Sequence, residues 1–502
     1  MADEACVTDS CSRFERYKLL SWLIGGFTLE TILPQVKNVV VVMFENRSFD
    51  NICGWLYEDT TRQPSLYLPS GSPQRFDGLD LSYWNPSNPS YFSGQPADPI
   101  AIAQGSAAST VPNPDPQETF DNVTYQIYGP NGPSANPKWP MKGFVVNYET
   151  VPFSTPKQIM ESYRSSQVPV ISALAQNYAV SDAWFCSVPT QTLPNRSFVH
   201  AGTSNGNVNN GEPADPLEWD VDSIFNVLHS MGASWAVYSN AILTPSLTRT
   251  FFPRLWDPLL QGHFQDFGAF QAACANNSLP QYSFIEPRFL LDPNDEHPPH
   301  DVSKGEQLLY QIWEAVSESP GWNNILLVIT YDEHGGFYDH VLPPFGAVAP
   351  DANSDPGKEG FDFGRFGVRV PTVVVSPFIQ AGTVFRSNTM TSYDHTSILA
   401  TLRDWLGISN TQMLSSKRIA AAPNLAQVLT LAKPRTNKPV ITSPQSTPMQ
   451  TPLTLPPNDL QRTLVTGTAR RLGVDAPTVL AQIKTRQDAV DFFDRRKSMA
   501  RQ

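Results

Sequence analysis

Two short acidic clusters, Glu45-Asn46 and Asp332-Glu333-His334, each directly follow a continuous apolar run: Val39–Phe44 before the first, Ile325–Thr330 before the second. An Asn beside a Glu, facing an Asp beside a Glu, offers a shell of oxygen donors. That shell suits a hard or borderline divalent cation such as calcium, magnesium or manganese. Taken singly, each cluster is an ordinary solvated strand end with an Asx turn; it is the pair that points to a metal. A third segment, Thr190–Phe198, places Pro194 in a first helical turn with Thr192 near the cap. A hydroxyl there faces free backbone N–H groups and the positive end of the helix dipole, where phosphate binds. A nearby metal would lower its pKa enough for nucleophilic attack; simple N-capping is the competing role.

The fourth segment is His297-Pro298-Pro299-His300-Asp301. Its two prolines predict polyproline II, with three residues per turn, so that His297 and His300 project from one side. Two such imidazoles stabilise a charged oxygen, protonate a leaving group or bind metal; incidental surface histidines are the alternative. Asp301 either orients an imidazole or caps the helix that follows. His395, in Tyr393-Asp394-His395-Thr396-Ser397, is a further candidate for the same pocket, whereas His200, His229 and His263 are assigned structural roles.

The elements that position these residues are legible in outline. The two apolar runs read as strands buried on both faces, as in a parallel sheet covered by helices. A helix with Ser303 and Glu306 in capping-box spacing precedes the second run, its apolar stripe formed by Leu308, Leu309, Ile312, Ala315 and Val316. A third run, Val370–Val375, precedes a helix over Thr396–Leu406. This alternation means α/β, a central mostly parallel sheet flanked by helices. Sites in such sheets form at the carboxyl ends of strands, so both acidic clusters point to one edge.

Of 502 residues 11% are aromatic, enough for a large core and too many for a disordered chain. The net charge of −12 has the wrong sign for a protein that binds phosphate backbones, so no nucleic-acid partner is expected. No apolar run approaches the ~20 residues of a membrane span. Five sparse cysteines without a CxxC pair argue against a disulfide framework or zinc-thiolate site, with at most Cys6 and Cys11 placed to pair locally. The apolar stretch Leu19–Phe27 lacks a cleavage site after it, so the compartment stays open, secreted or periplasmic included. Residues 58–140, rich in Ser, Pro, Asn, Gly and Tyr, read as an ordered insertion over one end of the sheet. Residues 433–457 form a Pro/Thr/Ser linker, expected to be extended. The last segment, 458–502, is a helical tail, with one helix expected over Ala476–Phe493 and a net +4 over residues 459–502. It is expected to strap onto the acidic body, with contact to an anionic membrane surface as the alternative.

Together, Glu45-Asn46-Arg47-Ser48-Phe49-Asp50, Thr192-x-Pro194-Asn195-Arg196, His297-x-x-His300-Asp301 and Tyr331–His340 occur in an order that closely resembles the phosphoesterase family of bacterial and plant non-specific phospholipases C and acid phosphatase A. The resemblance spans about residues 36–410, within a catalytic domain placed at 1–432. It implies an alkaline phosphatase-like core with long loop insertions. One divalent metal (calcium, magnesium, manganese or zinc) would be held by Glu45, Asn46, Asp332 and Glu333, with Thr192 completing the site as nucleophile. Asn195, His297 and His300 would contact the phosphoryl oxygens or serve the leaving group, and His395 and Asp301 would lie on the substrate side. Two departures stand out: Glu118 where many relatives carry a histidine, and Thr190-Gln191 where Gly-Pro is usual before the nucleophile. The resemblance implies metal-dependent hydrolysis through a phospho-threonine. Phospholipase C cleavage of a glycerophospholipid is favoured weakly by the aromatic insertion (Tyr67, Phe76, Tyr83, Trp84, Tyr91, Phe92) and the basic tail. A broad-specificity acid phosphatase acting on small phosphate esters is the alternative, and a non-catalytic metal-binding module a remote one.

Overall fold

The computed structural model describes residues 32–212, 215–216, 219–241, 244–444 and 452–499. The Cys6/Cys11 pair and the Leu19–Phe27 stretch lie outside these residues. Cys53, Cys186 and Cys274 are buried free thiols.

Nine strands form one sheet: β1 (Asn38–Phe44), β2 (Leu66–Leu68), β3 (Ala179–Ser181), β4 (Trp235–Ser239), β5 (Phe264–Asp266), β6 (Tyr282–Glu286), β7 (Ile325–Tyr331), β8 (Thr372–Val375) and β9 (Thr383–Phe385). Their spatial order is β5-β4-β6-β1-β7-β8-β3-β9-β2. All neighbours run parallel except β8, which is antiparallel to both β7 and β3. The chain is thus mixed α/β, with a large, mostly parallel central sheet flanked by helices. The two longest apolar runs, β1 and β7, lie side by side near the middle, and every residue of β1 from Val39 onward is buried. A strand covered on both faces has no polar side to show, which is why these runs do not alternate.

The flanking helices used below are α1 (Phe49–Cys53), α2 (Phe120–Tyr128), α3 (Phe144–Tyr148), α4 (Pro169–Asn177), α5 (Thr192–Ala201), α6 (Val302–Ser317), α7 (Thr396–Leu406), α8 (Asp459–Arg471), α9 (Ala476–Gln482) and α10 (Arg486–Met499). Helix α6 buries Leu308, Leu309, Ile312 and Val316 of the stripe read from the sequence, with Trp313 beside them, while Ala315 is half-buried. Its cap differs from the expected capping box. Asp301 is the N-cap, accepting from the Ser303 N–H at 2.9 Å. Glu306 turns away and accepts from the Val170 and Ile171 N–H groups, the latter at 3.0 Å, so it caps α4 instead. Burial pushes the Glu306 carboxyl up to about 7, although those two N–H groups pull the other way.

The single tail helix expected over Ala476–Phe493 is two helices, α9 and α10. The break falls where Asp488 accepts from the Lys484 and Thr485 N–H groups at 2.9 and 2.8 Å, a local cap that starts a new helix. Apolar side chains help seat this unit on the body. Leu460, Leu464, Val465, Ala469, Ile483, Phe492 and Phe493 belong to the same buried cluster as the strands of the main sheet. Each apolar side chain of that kind is worth about 1.5–3 kcal/mol when buried, against about 0–1 kcal/mol for an exposed ion pair.

Candidate active site

Strand register decides what meets at the sheet edge. Phe44 pairs with Tyr331 in the parallel β1–β7 ladder, so Glu45 and Asp332 leave the sheet side by side. The Asp332 N–H donates to the Phe44 carbonyl at 3.1 Å, and the Asn46 N–H donates to Asp332 Oδ1 at 2.9 Å. Asn46 is left-handed, at φ +54°, a conformation Asn tolerates better than most residues. Gly335, at φ +63°, lies so close that a Cβ there would sit 2.1 Å from the Asn46 carbonyl oxygen. A glycine is therefore required to let the Glu333–Gly335 turn close against Asn46.

Glu45, Asn46, Asp332 and Glu333 are all buried. Helix α5 then brings Thr192, its first residue, to the same place: Thr192 Oγ1 lies 3.3 Å from Glu45 Oε2. Thr190, the other threonine of the segment, donates its hydroxyl to the Val208 carbonyl and is occupied there. Arg196 stands one turn further along α5. Its Nε contacts Glu45 Oε1 at 2.8 Å, its Nη2 pairs with the same oxygen, and Nη2 also donates to the Met43 carbonyl at 3.2 Å. Arg196 was quoted in the motif without a role. The i,i+4 spacing from Thr192, which puts both side chains on one helix face, was the available signal.

Three oxygens of the cluster, Asn46 Oδ1, Asp332 Oδ2 and Glu333 Oε1, are buried with no hydrogen-bond partner among the described residues. Buried polar atoms are otherwise nearly always satisfied, so lone pairs left in this arrangement fit a divalent cation. The electrostatics agree. Burial, followed by repulsion from Asp332, holds the Glu333 carboxyl well above the usual range. Burial does the same to Glu45, against the pull of Arg196. A 2+ ion would relieve both costs.

Glu118 belongs to this neighbourhood. It is buried, its Oε1 lies 3.4 Å from Asn46 Nδ2, and burial together with the Asp115 and Glu333 charges raises its pKa well above normal. The residue marked in the sequence as a departure thus adds another carboxylate beside this oxygen shell rather than an imidazole. Among the described residues, the acidic group whose ligand atoms lie within 4.8 Å of one another is a different one, Asp50, Asp339 and His340. Arg369 already answers their charge, 2.9 Å from Asp50 Oδ1 and 3.0 Å from Asp339 Oδ1, which makes this group an ion-pair network.

The histidine segment is not polyproline II. A tight turn with a cis Pro298–Pro299 bond is closed by the His300 N–H donating to the His297 carbonyl at 2.6 Å. The two rings still lie close, 5.8 Å apart. They are not equivalent. His297 Nδ1 is 2.8 Å from the Pro298 carbonyl, and burial pushes its pKa down to about 4. His300 Nδ1 donates to Asp295 Oδ1 at 2.6 Å, and its Nε2 is buried without a described partner. Asp295, absent from the sequence reading, also accepts the Glu45 N–H on its carbonyl at 2.8 Å, tying this turn to the end of β1.

Three expected substrate contacts are engaged elsewhere. Asp301 is the helix cap described above. The Asn195 amide is spent on the backbone before α5: Oδ1 accepts from the Val188 N–H at 3.0 Å, and Nδ2 donates to the Val188, Thr190 and Gln191 carbonyls at 3.0–3.1 Å. Asn195 therefore shapes the loop that delivers Thr192. His395 Nε2 donates to the Asp332 carbonyl at 2.6 Å, while its Nδ1 faces the Trp184 indole N–H at 3.5 Å. Both ring nitrogens are used, and His395 braces a cluster member from behind.

The comparisons with known proteins define the class as a hydrolase of phosphoric esters. The pattern of the phosphoesterase family matches residues 36–409, and the chain belongs to that family. It is 36% identical to "Non-specific phospholipase C6" of Arabidopsis thaliana over 424 residues, 83% of this chain and 76% of that protein. It is 28% identical to "Phospholipase C B" of Mycobacterium tuberculosis over 468 residues, 82% of this chain and 81% of that one. Among solved structures, a protein of the alkaline phosphatase superfamily from Vibrio parahaemolyticus covers 51% of this chain and 64% of its own at 12% identity. Its TM-score of 0.30 is too low to argue from.

Proposed function

We propose that this phosphoric ester hydrolase is a metal-dependent phospholipase C, which cleaves glycerophospholipids to diacylglycerol and the phosphorylated headgroup through a covalent adduct on Thr192. The observation that carries the reading is the Thr192 hydroxyl 3.3 Å from Glu45, beside the partnerless oxygens of Asn46, Asp332 and Glu333. Those four residues would hold one divalent cation, which when bound supplies the positive charge that acidifies the threonine hydroxyl and neutralises phosphoryl oxygens.

The chain's own groups do the rest. Arg196 fixes Glu45, and Asn195 fixes the start of α5, so the hydroxyl is aimed before substrate arrives. Thr192 Oγ, its hydroxyl proton released to water on ionisation, attacks phosphorus as the bond to the glycerol oxygen breaks, and the departing oxygen takes a proton. His300, held by Asp295 with Nε2 free, is the group built to give it. Water then cleaves the P–Oγ bond, with His300 accepting the proton back from that water. The names of the relatives favour a phospholipid over a small monoester.

The test is product analysis on phosphatidylcholine and on a simple phosphomonoester, with and without a chelator. Diacylglycerol and phosphocholine, both lost on chelation and in Thr192→Ala, are expected. Inorganic phosphate from the monoester alone would make the protein a phosphatase, and turnover by Thr192→Ala would refute the nucleophile.

A further inference from the structure

Resting on the phospholipid reading above, we infer that the turn Val151-Pro152-Phe153-Ser154 is an interfacial wedge, which seats the side of the protein carrying the Asp115–Glu118 loop on a phospholipid surface through the Phe153 ring. The turn follows α3 and is closed by the Ser154 N–H donating to the Val151 carbonyl at 3.1 Å. Pro152 occupies the second position and Phe153 the third, with φ +66°. That third position calls for glycine or asparagine, because a Cβ is unfavourable at positive φ. Here it carries a phenylalanine whose side chain is 97% exposed.

A single exposed apolar residue is ordinary on a protein surface. An exposed aromatic ring held in a backbone conformation that penalises it is not, because neither packing nor local geometry accounts for the choice. Strain of this kind persists where the ring has a use outside the fold.

The turn is also bolted to the loop that lines the site. On one side of it, the Tyr148 hydroxyl donates to the Pro114 carbonyl at 2.7 Å. On the other, Gln158 accepts the Asn113 N–H at 3.0 Å. The next residue of that loop, Asp115, lies 3.7 Å from His297, and Glu118 follows beside Asn46. At its base, Phe144 of α3 packs edge-on against His334, 6.0 Å between rings. Whatever holds Phe153 therefore also holds the loop that carries Asp115 and Glu118.

A phospholipid surface is the occupant that fits. One aromatic ring flanked by Val151 and Pro152 is far below the roughly 800 Å² per partner of a stable protein interface. Partition into the headgroup region, by contrast, scales with whatever apolar area is inserted, and aromatic rings favour that depth. Lys157, exposed four residues on, adds a cation for lipid phosphate.

The experiment measures partition of the full chain onto phosphatidylcholine vesicles by co-sedimentation, beside turnover of a short-chain phosphatidylcholine kept monomeric. Phe153→Gly removes the ring and relieves the backbone, so it melts no lower than wild type. It is expected to cut vesicle partition about tenfold or more, as is Phe153→Asp, while monomeric turnover stays within about twofold. Phe153→Trp keeps partition. Unchanged partition in Phe153→Gly overturns the proposal, as does a wild type that ignores vesicles or a loss of self-association as the main effect. Partition needs no catalysis, so a protein that docks through Phe153 yet hydrolyses no lipid supports the wedge and refutes the function above.

Discussion

Replacing Arg196 with methionine removes the only cation in contact with Glu45 among the described residues while keeping an unbranched apolar stem. Arg196 is 4% exposed and Glu45 fully buried, and the guanidinium makes its two contacts on one carboxylate oxygen. Breaking such a pair from one side leaves an uncompensated buried charge, which costs about 3–5 kcal/mol. Against a typical total stability of about 5–15 kcal/mol, a large part of the fold's margin goes. Part of the loss is avoided if Glu45 binds a proton, toward which burial already pushes it. Urea denaturation at pH 7 in chelator reads the effect, with the double variant Arg196→Met/Glu45→Gln as the control. The single variant is expected to lose about 3 kcal/mol or more, and the double to recover most of it because the Glu45 charge is removed together with its partner. Neither is expected to hydrolyse substrate, since the carboxylate beside Thr192 is misdirected in one and neutral in the other. A single variant within about 1 kcal/mol of wild type, or a double no better than the single, would refute this account of the pair.

Other groups carry predictions of their own. Although burial opposes it, the Asp50 charge raises His340 to about 9, so its stabilisation is complete below about pH 6.5 and is lost as pH rises through 9. Thermal melts from pH 6 to 10 should fall over that window, and His340→Gln should flatten the slope; an equally steep variant would point to other groups. Glu306→Ala strands the buried Val170 and Ile171 N–H groups and should cost about 2–4 kcal/mol in urea denaturation, with KM for substrate unchanged. A loss below about 0.5 kcal/mol would show that water replaces the cap.

Much of this arrangement was legible because the informative residues sit in local patterns. Val39–Phe44 and Ile325–Thr330 are apolar at every position, and only a strand covered on both faces needs that. Their ends carried Glu45-Asn46 and Asp332-Glu333, and the parallel register turned two sequence neighbourhoods into one site. What stayed hidden depends on partners far along the chain. Glu306 has capping-box spacing, yet a second helix 135 residues away takes its carboxylate. Asn195 and His395 have the chemistry of ligand contacts, and only the fold shows their polar atoms spent on backbone groups and, for one His395 nitrogen, on the Trp184 indole. Asp295 became visible once the His297–His300 turn folded back on it. The edge strands, three residues each, hold too little pattern to be read. The charge of residues 459–502 drew attention away from the apolar side chains that seat them.

The central claim is that Thr192 takes the phosphoryl group. Turnover of phosphatidylcholine quenched in acid, followed by mass spectrometry of the peptides spanning residues 185–200, tests it most directly. The account predicts a phosphocholine adduct on Thr192, absent after chelation and in Thr192→Ala. An adduct on Thr190, or rapid turnover with the threonines never modified, would contradict it.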